Sequence, residues 1–254
     1  MSRYSGLATA SGLAWRVRDT ATQIEMVLVP VGTFTMGCTA SNAYACSADE
    51  NPTHQVTITN AFYMGRYEVT QAQWLAKMGS NPSYFQPPTY TADTNRPVER
   101  VSWNTVQGFL SATGMRLSTE AEWEYAYRAG TTTAFHGWAG QPTGTNDDLL
   151  VGQISWFSQN ASIQTHPVGG RAANGFGLHD MAGNVWEFVN DWLDPAYYVS
   201  SPSTNPLGPT SGTARVLRGG GVLHPASFVR SSHRNGATPD GANPDLGFRV
   251  ARNP

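Results

Sequence analysis

The chain has 254 residues, 26 of them glycine and 16 proline, and only 13% are charged, against roughly 25% in an ordinary soluble domain. No window approaches the roughly 20 unbroken apolar residues of a membrane-spanning helix, so membrane insertion is not expected. Sixteen basic and 18 acidic side chains leave a net charge of -2, with Lys77 the only lysine, so the clustered positive charge of a nucleic-acid surface is missing.

One glycine-rich, loop-rich globular domain is the natural reading, or two small ones at most. Residues 1–17 mix Arg3, Ser5, Thr9 and Arg16 among small side chains without a continuous apolar stretch, which does not read as a secretory signal. Virion-associated, cell-surface and cytoplasmic locations all fit such a sequence. From Met26 to Gly37, β-branched residues interrupted by Pro30 and Gly32 predict a pair of short edge strands. The two cysteines, Cys38 and Cys46, are separated by small, turn-prone residues. Either a local disulfide or two reduced thiols in a surface loop fits that spacing. A four-ligand zinc site is not expected, because the six histidines are scattered.

His54 to Asn60 alternates apolar and polar residues and reads as a half-buried strand. Thr70 and Gln73 form a capping box that predicts a helix over 71–78, closed by Gly79. Ser102-Trp-Asn-Thr looks like a second helix start with Asn104 as its cap, and Thr119 with Glu122 opens a third helix over 120–128, ended by Gly130. Beyond Gly130 helical periodicity vanishes, leaving short strands and long ordered loops in which Trp138, Trp156, Trp186 and Trp192 are expected to be core.

Seven stretches carry a resemblance in a fixed order: 26–37 (MVLVPVGTFTMG), 62–70 (FYMGRYEVT) with Trp74, 96–103 (RPVERVSW), 116–126 (RLSTEAEWEYA), 174–187 (NGFGLHDMAGNVWE), 215–220 (RVLRGG) and 246–249 (LGFR). The chain resembles the sulfatase-modifying-factor family, the formylglycine-generating-enzyme-like domains. That resemblance implies an α+β, C-type lectin-like fold: a small twisted antiparallel sheet, a few short helices and much irregular chain. It assigns residues 24–254 to the domain and 1–23 to an N-terminal extension.

In the oxidising enzymes of this family, the resemblance places a copper-binding cysteine pair in the stretch after the Arg-x-x-x-Gly-Gly motif. Here residues 221–234 contain no cysteine, so no copper is expected and formylglycine generation is not the expected chemistry. Other branches build an iron site with a separate helical domain, which is not expected here. A metal site from His224 and His233 with His136 or His179 is the weaker reading; isolated loop histidines are more often surface residues or satisfied hydrogen-bonding groups. No Gly-x-Ser-x-Gly turn supports a hydrolase, and Glu120, Glu122 and Glu124 read as capping and dipole complementation.

A second branch of the resemblance, the variable proteins of diversity-generating retroelements, presents a C-terminal segment mutated at adenines on a fixed frame. Arg218, Gly219, Gly220, Arg230, Ser231, Arg234, Pro239, Asp240, Gly247, Phe248 and Arg249 match that frame. The positions between them are Val222, Leu223, His224, Pro225, Ser227, Phe228, Ser232, His233, Asn235, Gly236 and Ala237. Mutated AAY codons cannot encode Trp, Met, Lys, Gln or Glu. None of these occurs from 221 to 238, although none occurs anywhere from 193 to 254 either. Apolar and aromatic residues crowded into a segment that the frame places at the surface suit a binding patch; the alternative is that Leu223 and Phe228 pack inward.

The resemblance also implies a structural calcium site from the side chains of Asp180 and Glu187 and the carbonyls of Gly183 and Val185, as a hard cation prefers. Pairing of Asp180 and Glu187 with arginines or backbone amides is the alternative. The expectation is a non-enzymatic ligand-binding protein whose segment 221–245 recognises a protein or cell-surface ligand. The alternative is an enzyme or degenerate enzyme domain of the same family, acting on a peptide or thiol substrate.

Overall fold

The computed structural model describes residues 13–39 and 44–254. Strands β1 (Arg16–Arg18), β2 (Glu25–Val29), β3 (Gly32–Met36), β4 (His54–Ile58) and β5 (Phe62–Gly65) come first, followed by helices α1 (Gln71–Met78), α2 (Trp103–Thr113) and α3 (Glu120–Arg128). A single helical turn, α4 (Asp148–Val151), interrupts the second half, where only strands and loops were expected. The remaining strands are β6 (Ser155–Trp156), β7 (Ala182–Gly183), β8 (Trp186–Trp192), β9 (Arg215–Arg218), β10 (Asn235–Ala237), β11 (Leu246–Gly247) and β12 (Ala251–Arg252).

Two four-stranded sheets result, in the orders β1-β2-β5-β12 and β10-β9-β8-β11, with the pairs β3-β4 and β6-β7 outside them. The strands expected between Met26 and Gly37 form, but β2 is not an edge strand: β1 pairs along one side of it and β5 along the other. The sheet therefore starts within residues 1–23, where an N-terminal extension is expected. Three residues with only Val17 buried are too short a pattern to read as a strand.

Capping chemistry sets the helix ends. The Thr70 and Thr119 hydroxyls accept from the amides of Gln73 and Glu122, whose side chains reach back to the cap amides. Helix α2 corrects one expectation, because Ser102 is its cap, paired with Thr105, while Asn104 lies inside the helix and donates to Asp240. At the end of α3, Ala129 at φ +43° is the cap and Gly130 at φ +93° continues the turn out of the helix.

Two apolar clusters fill the interior, one around Trp123, Tyr127, Phe135 and Met181, the other around Trp74, Phe109, Trp186 and Phe248. Of the four tryptophans expected in the core, only Trp186 is fully buried. Trp138, Trp156 and Trp192 are partly exposed. Arg171 lies over Trp156 at 3.5 Å and Arg215 over Trp192 at 3.5 Å, so cations cover these rings where apolar neighbours would otherwise be needed.

Candidate recognition face and its arginine frame

Strands β8, β9 and β10 carry the C-terminal segment. Gly219 and Gly220, at φ +92° and +69°, turn the chain out of β9. A Cβ at Gly220 would sit 2.7 Å from Val229 Cγ1 and 2.8 Å from the Phe228 carbonyl oxygen, so only glycine lets the 225–229 turn fold back over it. The chain then runs through a 3-10 turn at Ala226–Phe228 and returns as β10, antiparallel to β9 with Asn235 opposite Leu217.

Four buried arginines pin this path, each to a buried glutamate elsewhere in the chain. Arg230 holds Glu50 with two bonds of 2.8 Å, and Ser232 Oγ donates to the same carboxylate at 2.6 Å. Arg234 grips Glu120 at 2.6 and 2.9 Å. Arg218 pairs with Glu124, which also accepts from Arg128. Arg249 forks onto Glu187 at 2.6–2.8 Å. Burial pushes the Glu50 carboxyl up, but bonds from His233, Arg230 and Ser232 outweigh it and leave it well below the ordinary range. At Glu120 burial is likewise outweighed, by Arg234 and Arg218. Bidentate guanidinium–carboxylate pairs fix orientation as well as distance. Glu122 keeps its expected capping role, whereas Glu120 and Glu124 turn out to be anchors of the C-terminal segment.

Between the pins the side chains divide. Leu223 is 44% exposed, Pro225 and Asn235 are exposed, and His224, Ser227, Phe228, His233, Gly236 and Ala237 are half-buried. Val222 and Ser232 are fully buried, which removes them from the expected contact surface: Val222 donates its amide to the Asn184 carbonyl, and Ser232 is committed to Glu50. Phe228 lies in an aromatic group with Trp186 below it at 6.4 Å, His224 at 5.2 Å and His233 at 4.6 Å. No arginine of the segment reaches outward unpaired. Two open grooves, of about 730 and 480 Å³, are lined by other parts of the chain and include no residue of 222–237.

The alternative metal and redox groups fall elsewhere. His136 is buried beside Tyr127, and burial holds its imidazole at about 4. His179 packs on Tyr67 and hydrogen-bonds the Arg171 carbonyl, so neither histidine joins His224 and His233. Cys38 and Cys46 are joined in a disulfide with their Cα atoms 6.0 Å apart. The two carboxylates expected to hold calcium differ in how far other groups already engage them. Both Glu187 oxygens are taken by Arg249, and Oε2 also accepts from Trp123 Nε1 at 2.7 Å. Asp180 accepts from the Gly169 amide and keeps a buried Oδ1 with no partner; burial raises its carboxyl to about 6.

Glu50, the partner of Arg230, escaped sequence reasoning. The usable signal was arithmetic: four inward arginines demand carboxylates, and the chain has only eight glutamates.

A mixed α+β, C-type lectin-like scaffold with an arginine-pinned C-terminal segment defines the class. The sulfatase-modifying factor enzyme 1-like domain profile matches residues 14–254, and the chain belongs to this formylglycine-generating-enzyme-like family. It is 40% identical to the formylglycine-generating enzyme of Streptomyces coelicolor over 169 residues, covering 63% of this chain and 54% of that protein. It is 31% identical to the mouse enzyme over 303 aligned positions, covering 98% of this chain and 80% of that one. Among solved structures, Treponema denticola variable protein 1 superposes with a TM-score of 0.76 at 28% identity, over 91% of this chain and 95% of that one. PvdO from Pseudomonas aeruginosa gives 0.77 at 29%, over 94% and 98%.

Proposed function

We propose that this protein binds a macromolecular ligand through the surface of residues 223–237, without catalysing a reaction, as a variable protein of a diversity-generating retroelement does. The observation that carries the reading is the separation of roles along the segment. Arg218, Arg230, Arg234 and Arg249 face inward to carboxylates contributed by other elements, while Leu223, Pro225, Phe228 and Asn235 face solvent or half-face it. A position whose side chain does not hold the fold is free to vary. The likeness to a protein named for variability supports the same reading.

The ligand is a protein surface. Phosphates and anionic sugars call for unpaired cations, and the arginines of this segment are all committed inward; Leu223, Pro225 and Phe228 supply instead the apolar anchors of protein–protein contacts. The relatives named as enzymes favour the second reading, a family oxidase or its descendant acting on a peptide or thiol. No cysteine lies in 219–254, so such an enzyme would lack the thiolate pair of the copper branch.

A library randomised at 223, 224, 225, 227, 228 and 235, leaving His233 on Glu50 unchanged, tests the proposal. Most members should fold and bind antibody against the scaffold, and binders to arbitrary protein targets should be selectable. Collapse of folding across the library would overturn it. A neighbouring reverse transcriptase gene with a near-identical AAC-rich template would add support, and copper-dependent oxidation of a cysteine peptide by the purified protein would establish the enzyme reading instead.

A further inference from the structure

His224 stands between two groups that ask opposite things of it. Its Nδ1 receives a hydrogen bond from Trp186 Nε1 at 3.2 Å, and the same Nδ1 lies 3.5 Å from Asp245 Oδ2. An indole N–H can only donate, so with the Trp186 bond in place Nδ1 is bare and the ring proton sits on Nε2. The Asp245 carboxylate, facing that bare nitrogen, then has no proton to accept. A proton on Nδ1 reverses both relations: the Trp186 bond is lost and an N–H points at Asp245. The backbone does not take part, because the His224 amide donates to the Gly221 carbonyl and its carbonyl accepts from the Ser158 amide. The side chain alone must move, and it packs on Phe228 at 5.2 Å.

We propose that His224 is a proton-operated latch on the recognition face: neutral, it is held by Trp186; protonated, it turns to Asp245 and displaces Phe228, changing the surface offered to a ligand. The proposal rests on the reading of 223–237 as that surface. Burial holds the His224 imidazole below its ordinary range, Asp245 opposes this, and His233 acts with burial. Burial raises the Asp245 carboxyl, so the two groups share their titration as a pair. The other charges nearby are committed: Arg230 and Glu50 are locked to each other, 3.3 and 3.8 Å respectively from His233 Nδ1.

The test is a nitrogen NMR titration of the free protein from about pH 8 to about pH 5, the range in which imidazoles change charge. At the alkaline end His224 Nδ1 should appear as an unprotonated acceptor. On acidification the Trp186 indole N–H signal and the amides of Leu223 and Phe228 should move with the midpoint of His224. In His224→Gln these movements should vanish, and in Asp245→Asn the midpoint should fall by about half a unit or more, since the anion favouring the imidazolium is gone. An indole signal that stays still while His224 titrates, or a proton already on Nδ1 at pH 8, overturns the latch. No ligand enters this titration, so it can succeed or fail whatever the randomised library shows about recognition.

Discussion

Replacing Arg230 with alanine isolates what the frame contributes. Glu50 is fully buried, and its two oxygens take both Arg230 bonds, the Ser232 hydroxyl and the Ser47 amide. Removing the guanidinium leaves a desolvated carboxylate with only weaker neighbours: the Ser232 hydroxyl, the Ser47 amide and the His233 imidazole 3.8 Å away. Breaking a buried pair in this one-sided way costs about 3–5 kcal/mol. For a domain of this size each kcal/mol lowers Tm by roughly 2–4 °C, so a fall on the order of 10 °C is expected. Replacing both partners with neutral residues of similar volume, Glu50→Gln with Arg230→Met, should recover most of that loss, because no charge then remains buried. Urea unfolding followed by circular dichroism at pH 7 reads both values. A single variant within about 1 kcal/mol of the parent, or a double variant no more stable than the single, would refute the claim that charge pairing holds the segment.

Leu223→Ala should change stability by no more than about 0.5 kcal/mol, as for an exposed side chain, whereas Phe228→Ala, half-buried over Trp186, should cost roughly 1–2 kcal/mol; equal and large losses at both would place the segment in the core. Burial, with Glu120 beside it, raises the Asp191 carboxyl to about 8. The folded state then holds that proton more tightly than the unfolded chain, so the stability it contributes is complete below about pH 4 and is lost as pH climbs toward 8. Asp191→Asn should flatten this alkaline decline, a gain of roughly 1 kcal/mol or more at pH 8.5; a pH–stability curve superposing on the parent's would contradict the assignment. Chelation or saturation with calcium should leave Tm unchanged, because Arg249 already neutralises Glu187; a calcium-dependent rise, abolished in Asp180→Asn, would show that the spare Asp180 oxygen recruits an ion.

Local rules were legible in the sequence because their determinants are adjacent. The Thr70 and Thr119 capping boxes and the alternation in β4 need only neighbours three or two residues apart. The family motifs located the frame arginines, since Arg218, Arg230, Arg234 and Arg249 sit at fixed spacing from the paired glycines and the Gly-Phe-Arg triplet. What stayed hidden is long-range. Glu50 meets Arg230 across 180 positions and Glu124 meets Arg218 across 94, and no periodicity encodes a partner at that distance. Burial of Val222 and Ser232 was hidden for the same reason: whether a side chain between two pinned arginines turns in or out depends on the Asn184 carbonyl and on Glu50, neither of which is near in sequence.

The same distances explain why the segment can carry exposed apolar residues without relying on them. A loop packed by its own leucines and phenylalanines changes shape when those residues change. Here the carboxylates that fix the path belong to α3, to β8 and to the turn at Ala48–Glu50, and the arginines that meet them use long side chains to reach past the intervening positions. Hydrophobic contact tolerates sliding, while a guanidinium fork on a buried carboxylate has one productive orientation. Register is therefore set by Arg230 and Arg234, and the residues between Gly221 and Arg230 inherit it. Substitutions at Leu223 or Pro225 should alter what the surface binds while leaving where the surface lies unchanged, whereas a substitution at Glu50, far away in sequence, should move all of them together.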